Sequence, residues 1–590
     1  MMMKQRLILL LLVALPALAW ADEIDGINYS LSQGNGSYNK AQATVNSRSN
    51  KYSGDIVIPD TVRRSSSSGG SWWGNWGSWW GGSTSSNTTY YVTAIADNAF
   101  SNCTSLNSVT IPSTMAKIGN NAFSGCSSLQ HVYSNMLYPP SLGTGVFTNV
   151  PESCVLHIPI GTLAVYKKAG WTPQSIGFSI VEEGALEESF CLENEVNHQF
   201  IQNTVYPDDD YTFTKITDYT TKFTPYRKDL PAPVCLIPPT VEGGQELVME
   251  VYTKGQLVRT DRYPVESKLL QIWNLTPQTY YTYKLYVVDD NSTQTLIKEG
   301  NFKTEGQVRM LNIGYIYNFR DIGGWKLPNG KHIKYGQVFR TGELEMSNQF
   351  TITEEGKTEL LDILGVSVEI DFGDYPGSPV KNYVELYEDD NTYQIKQYVL
   401  FAKESKVQNK NCFAKLVESL RAGKKVIFHC NYGADRTGSF AFMLEGLLGV
   451  SESDLAKEYE MTSYTYDGRY RTCADNDNDQ YEHAYRKLIN HVKTTYEGVT
   501  FNEKIENMAL DFGISQQDID DFRTLMIEND RGNVNGDGQL DAQDASLVLQ
   551  SIANKIPPVE GGDMNDDGQV DAQDASLILQ RVANGSKHEP

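Results

Sequence analysis

The chain has 590 residues, too many for one hydrophobic core, and 40% of them are hydrophobic, enough for several. Its 73 acidic and 50 basic side chains leave a formal net charge of −23, which argues against nonspecific binding to nucleic acid or to an anionic membrane. Eight cysteines are scattered with no Cys-x-x-Cys pair, so their spacing suggests neither a zinc site nor a disulfide framework.

Taken in order, the chain begins with an export-type segment. Lys4 and Arg6 precede an apolar run from Leu7 to Leu15, and Ala19-Trp20-Ala21 places small residues where a signal peptidase cuts. Residues 1–21 are therefore expected to be a signal peptide. No cysteine follows the cleavage point to take a lipid anchor, and no later stretch is long and apolar enough to span a bilayer. A secreted, soluble product is expected, with no transmembrane segment.

Residues 22–181 hold an internal repeat. Ile95-Ala96-Asp97-Asn98-Ala99-Phe100 recurs as Ile118-Gly119-Asn120-Asn121-Ala122-Phe123, and each copy continues to a Cys and a Leu (Cys103, Leu106; Cys126, Leu129). A repeat of this length is a stacking solenoid, with Phe, Cys and Leu inside and the cysteines as core residues. Ile56-Val57-Ile58-Pro59 reads as a degenerate first unit, and His157 to Trp171 as the closing segment. Residues 64–88 interrupt the array with Ser, Gly and five tryptophans, including Trp72 and Trp80. Such composition cannot bury a core and is expected to be a disordered insert, or a sugar- or partner-binding one. The repeats resemble the leucine-rich repeats of BspA-like bacterial surface proteins.

From 182 to 306 the texture changes to short alternating segments rich in Thr, Tyr and Val, such as Glu246–Tyr252 and Tyr281–Val288. Period-two alternation with Pro and Asp in the turns predicts a β-sandwich. Leu275-Thr276-Pro277-Gln278-Thr279-Tyr280 resembles the corner of fibronectin type III modules, which implies that Tyr280 anchors it.

The chemistry is concentrated between 307 and 528. The apolar run Val426-Ile427-Phe428 ends in His429-Cys430, and Asn431-Tyr432-Gly433-Ala434-Asp435-Arg436 leads into the helix-like stretch Thr437-Gly438 and Ser439 to Val450. Strand, tight loop and helix start converge backbone N–H groups on one point, where an anion can sit. Arg436 can fork two hydrogen bonds onto phosphate oxygens. Cys430, beside those positive ends, is expected to be a thiolate nucleophile. The stretch resembles the signature loop of protein tyrosine phosphatases and, more closely, the His-Cys-x-x-Gly-x-Asp-Arg-Thr-Gly form of the bacterial tyrosine/lipid phosphatases. Asn318-Phe319-Arg320-Asp321 and Val338-Phe339-Arg340-Thr341 resemble earlier landmarks of that family, while Phe372-Gly373 after Asp371 departs from its Asp-Leu-Arg.

The resemblance implies a phosphocysteine on Cys430, with Arg436 and the loop amides of Asn431 to Arg436 holding the phosphate. Thr437 would then donate to the thiolate as it leaves. The leaving oxygen needs a proton. Asp435 in the loop is the favoured donor, with Asp371 or Asp374 as alternatives. Ala434 stands where phosphoinositide-directed relatives carry Lys, which shifts the expected substrate toward phosphotyrosine. No metal or other cofactor is required for this chemistry.

The last stretch, 529–590, is a duplication. Asn533, Asn535, Asp537, Gln539, Asp541 and Asp544 are matched by Asp563, Asn565, Asp567, Gln569, Asp571 and Asp574 at an interval of thirty. Oxygen side chains at this spacing with Gly at the sixth position form the EF-hand calcium loop, each running into an apolar helix. Asp at the twelfth position and the missing preceding helix resemble type I dockerins, which implies bound Ca²⁺ and a cohesin partner.

The expected fold is therefore multidomain. An α/β cysteine-phosphatase domain follows a leucine-rich-repeat solenoid and a β-sandwich, and a small all-α calcium-binding dockerin comes last. The expected function is a secreted phosphomonoesterase acting on protein phosphotyrosine. The alternatives are phosphoinositide or inositol phosphate hydrolysis and, from another class, a non-catalytic adhesin or scaffold.

Overall fold

The computed structural model describes residues 21–32, 41–63, 89–204, 229–314, 316–344, 352–372, 384–388, 403–465, 485–528, 532–535, 540–554, 561–565 and 569–583. The expected signal peptide (save Ala21), the tryptophan-rich insert and Asp374 lie outside them. The chain forms two compact units, residues 1–184 and 185–590.

The first unit is the solenoid. Five parallel strands form one sheet, in which Val109 pairs with Val132 and Val132 with Leu156. The sequence repeat is therefore the step of the ladder. Ile56 pairs with Val109, so the degenerate first unit occupies its own rung. Phe100, Phe123 and Phe147 stack in the interior at 4.9 and 5.5 Å between centroids. Cys103, Cys126 and Cys154 are buried beside them. Burial pushes the thiols of Cys126 and Cys154 up to about 12, so they are packing groups rather than nucleophiles. Trp171 and Tyr166 pack edge to face at the end of the stack.

In the second unit, an antiparallel sheet takes the strands in the order Gln256–Pro264, Glu246–Thr253, Tyr280–Val288 and Gln294–Lys303. A separate two-stranded sheet pairs Val234–Leu236 with Leu270–Ile272. One expectation is corrected here. The corner is anchored by Tyr281, whose hydroxyl accepts from the Thr276 amide at 3.0 Å, and not by Tyr280. Strand alternation decides it: Tyr281 faces inward and is buried, whereas half-buried Tyr280 lies under Lys303.

The next sheet positions the site. Its strands run Arg320–Asp321, Val338–Thr341, Lys425–His429, Val366–Asp371 and Glu385–Glu388 in spatial order. All neighbours are parallel except the first pair. Thr341 and Asp371 both pair with His429, so three strands end level and Cys430 emerges at their carboxyl edge. The core against this sheet includes Phe413, Phe428, Phe440 and Phe522. It also takes in Phe200 and Ile201 from the helix Glu195–Asn203.

The antiparallel module is joined to this body by buried and half-buried polar groups. Arg259 donates to Glu359 at 2.8 and 3.0 Å, and Asn274 donates to the same carboxylate at 2.9 Å. Arg309 donates to the carbonyls of Leu275 and Asn274 and pairs with Asp321. At the end of the chain, helices Ala542–Asn554 and Ala572–Ala583 pack through Ala545, Val548, Ala575 and Ile578.

Candidate active site

The loop after Cys430 is held from behind. Asn318, itself at φ 59°, donates its amide to the carbonyls of Tyr432 and Gly433 at 3.1 and 2.9 Å. Arg340 also donates to the Gly433 carbonyl. Glu458 accepts from Arg320 at 2.9 Å and from Arg340 at 2.9 Å, and Arg320 donates to the Asn318 side-chain oxygen. All four side chains are buried. Burial and the charge of Glu458 raise nearby Glu445 well above the usual carboxylate range. Carbonyls drawn outward to these donors leave the opposite, N–H face of the loop for an anion.

Gly433 is required by this arrangement. It sits at φ 63°, and a Cβ there would lie 2.5 Å from the Thr341 carbonyl oxygen and 2.9 Å from the Asn318 amide nitrogen. The helix Arg436–Leu448 begins directly after the loop, with Asp435 as its N-cap residue. The Asp435 side chain is half-buried and does not cap that helix.

Burial alone raises the pKa of Cys430. The Arg436 guanidinium, the Thr437 hydroxyl and the amides of Thr437 and Tyr432 overcome that effect and hold the thiol below its ordinary value. Arg436 donates to the Phe372 carbonyl. Thr437 is fully buried, and Asn431 is buried. Ala434 is buried with Tyr317 and Tyr432 in a small apolar cluster, and the two rings stack at 6.5 Å.

Asp371 occupies a different environment. It is buried 3.6 Å from Nδ1 of His429, whose Nε2 bonds Glu369 at 2.7 Å. Burial by itself lowers an imidazole pKa, but the charges of Asp371 and Glu343 and the bond to Glu369 push His429 up to about 10. The structure thus brings Cys430, the loop residues, Arg436 and Thr437 into one site. Sequence reasoning gave no role to Asn318, Arg320, Arg340 or Glu458. The Asn-Phe-Arg-Asp and Phe-Arg segments were the available signal for the first three. Glu458 carried none.

A thiolate at the head of an amide-lined loop, with a guanidinium at the helix start, can attack phosphorus while the phosphate oxygens are held. The class so defined is an α/β domain with a cysteine-headed anion cradle.

Comparison with known proteins agrees: the chain carries a tyrosine phosphatase family domain, matched over residues 311–528. The BspA type leucine rich repeat region matches in six copies over 83–165, and the dockerin type I domain matches over 531–583. A Cupriavidus necator protein provisionally named a tyrosine-protein phosphatase is 25% identical over 169 residues. The match covers 24% of this chain and 59% of that protein, so the chain spans about three-fifths of this relative's length. Among solved structures, Pseudomonas aeruginosa TpbA is similar at 14% identity with a TM-score of 0.17, over 23% of this chain and 80% of that one. A leucine-rich repeat protein from Bacteroides capillosus is similar at 19% identity with a TM-score of 0.16, over 23% of this chain and 97% of that one.

The dockerin loops carry an oxygen-only donor set. Asn533, Asn535, Asp541, Asp544, Asp563, Asn565, Gln569, Asp571 and Asp574 are described, while Asp537, Gln539 and Asp567 lie outside the described residues. Asp544 is buried and accepts from the amides of Val534 and Asn535 at 2.9 and 3.2 Å and of Asp541 at 2.9 Å. Asp574 accepts from Met564 and Asp571 at 2.7 and 2.8 Å. Buried carboxylates that close each loop on itself suit a hard cation such as Ca²⁺. Among the described residues no helix is long and apolar enough to cross a membrane.

Proposed function

We propose that residues 307–528 form a phosphomonoesterase that hydrolyses protein phosphotyrosine through a phosphocysteine on Cys430. The observation that carries this reading is the depressed thiol of Cys430, at the head of a loop whose carbonyls are drawn away by Asn318 and Arg340. Arg436 and the amides of Asn431 to Arg436 hold the equatorial oxygens, where charge gathers during transfer. Asp435 protonates the leaving oxygen. Its half-exposed position at the loop supports this role, whereas Asp371 is buried against His429.

The aromatic character of the substrate is supported by the apolar cluster of Tyr317, Tyr432 and Ala434 beside the loop, which offers no cation for a second phosphate. The deciding experiment compares kcat/KM on phosphotyrosine peptides, phosphoserine peptides and phosphoinositides with chelator present. Phosphotyrosine should be preferred. A higher value on phosphoinositides would replace this substrate class with the lipid one.

The remaining modules complete the proposal. Residues 182–306 are a fibronectin III-like β-sandwich, supported by the antiparallel sheet and the Tyr281 corner. Residues 529–590 bind Ca²⁺ and dock on a cohesin-bearing partner outside the cell, after export directed by residues 1–21. The duplicated loops, closed on Asp544 and Asp574, support the calcium role.

A further inference from the structure

Behind the nucleophile lies a second group of chemically active side chains that phosphoryl transfer does not use. His429 is fully buried, and Glu343, Glu369 and Asp371 around it are buried too. Glu369 Oε1 stands 2.7 Å from Nε2, a hydrogen bond in which that nitrogen donates, so Nδ1 is the nitrogen at which a cation can take the place of the proton. Nδ1 has no hydrogen-bond partner among the described residues. It faces Asp371 Oδ1 at 3.6 Å and Glu343 Oε2 at 3.9 Å.

Those separations decide between two occupants. A proton on Nδ1 does not bridge them, because N–H···O bonds close at about 2.7–3.2 Å. Ligand atoms that share one tetrahedral cation at about 2.0–2.2 Å lie about 3.3–3.6 Å from each other, close to the spacing found. The three candidate ligand atoms all fall within 4.8 Å of one another. A carboxylate on the far nitrogen of a ligating imidazole is also the usual outer support of a metal-bound histidine. Three buried carboxylates beside one imidazole leave net negative charge in a low-dielectric interior, which a divalent cation offsets more fully than a proton.

We propose that His429 Nδ1, Asp371 and Glu343 form a binding site for zinc or another imidazole-binding divalent cation, with Glu369 orienting the histidine. The ion ties the ends of three neighbouring strands together behind the loop. It takes no part in phosphoryl transfer.

The test uses the full chain saturated with Ca²⁺, so that the dockerin loops are filled, and Zn²⁺ as the probe. One zinc per chain should survive gel filtration, and X-ray absorption should show one imidazole with oxygen ligands at about 2.0–2.2 Å. Glu343→Gln should weaken zinc binding at least tenfold in calorimetry. Loss of zinc on the column overturns the proposal. So does sulfur at about 2.3 Å, which places the ion on a cysteine. Two imidazoles around the ion place it on the half-buried pair His131 and His157, whose nitrogens are 3.0 Å apart, and overturn it as well. Because absorption is read on the unaltered protein, the outcome stands even if the variant misfolds.

Discussion

Asn318 and Gly433 are 115 residues apart in the chain, yet the side-chain amide of the first holds the carbonyl of the second at 2.9 Å. That bond, with its twin to Tyr432, fixes which way the loop's peptides face. Asn318→Ala removes this donor from the Tyr432 carbonyl and leaves the Gly433 carbonyl to Arg340, at a cost of about 1–3 kcal/mol. We expect a lower melting temperature and a fall in kcat/KM of about 100-fold, the second exceeding what partial unfolding explains. Unchanged kcat/KM with a lowered melting temperature would reduce Asn318 to a stability residue.

Proton donation is read from the leaving group. Asp435→Asn should slow phenyl phosphates with poor leaving groups by about 10²–10⁴-fold and activated ones far less, since only the former need the proton. If Asp371→Asn gives that signature and Asp435→Asn does not, the assignment of the acid is reversed.

The thiol's pH dependence has a definite sign. Folded Cys430 sits below the ordinary thiol value, so the folded protein releases this proton at lower pH than the unfolded chain. Its contribution to stability is present above the unfolded pKa and is lost as pH falls through the folded one. Alkylation of Cys430 by iodoacetamide should accordingly reach half-maximal rate below the reference value of 9.0. Thr437→Val removes one of the lowering contacts and should move that midpoint upward. A midpoint at or above 9.0 in the unaltered chain contradicts the thiolate.

The dockerin should couple metal and fold. Its core is small: among the described residues the buried apolar side chains are Ala545, Val548, Ala575 and Ile578, and the helices Ala542–Asn554 and Ala572–Ala583 are short. The isolated 529–590 segment is expected to lose most of its helical circular dichroism in EDTA and regain it with Ca²⁺. Asp574→Ala, which removes the acceptor closing the second loop, should raise the calcium concentration needed by at least tenfold. Full helix in EDTA would show that the loops do not govern this fold.

Much of this arrangement was legible in the sequence where the signal was local or periodic. The recurrence of Phe100 as Phe123 announced the interior stack, and the run from Val426 to Gly438 announced strand, loop and helix. What stayed hidden was non-local. Nothing around Glu458 signals that it joins Arg320 and Arg340, which lie 138 and 118 residues earlier. The helix Glu195–Asn203 was grouped with the β-rich region by position. It packs instead on the phosphatase-family core, where Phe200 meets Tyr464 edge to face at 5.9 Å. Buried Glu369 was unreadable because a strand buried on both faces gives no clue that this acid has a histidine to meet.

The central claim is a covalent phosphate on Cys430, and trapping it is the most direct test. The full chain is mixed with a phosphotyrosine peptide, quenched within milliseconds and digested with trypsin. Mass spectrometry should find one added phosphate on Cys430 within the peptide Val426–Arg436. Cys430→Ser should lose both the adduct and turnover while still binding a phosphate analogue. Turnover in Cys430→Ser comparable to that of the unaltered chain, or phosphate on another residue, would contradict the account.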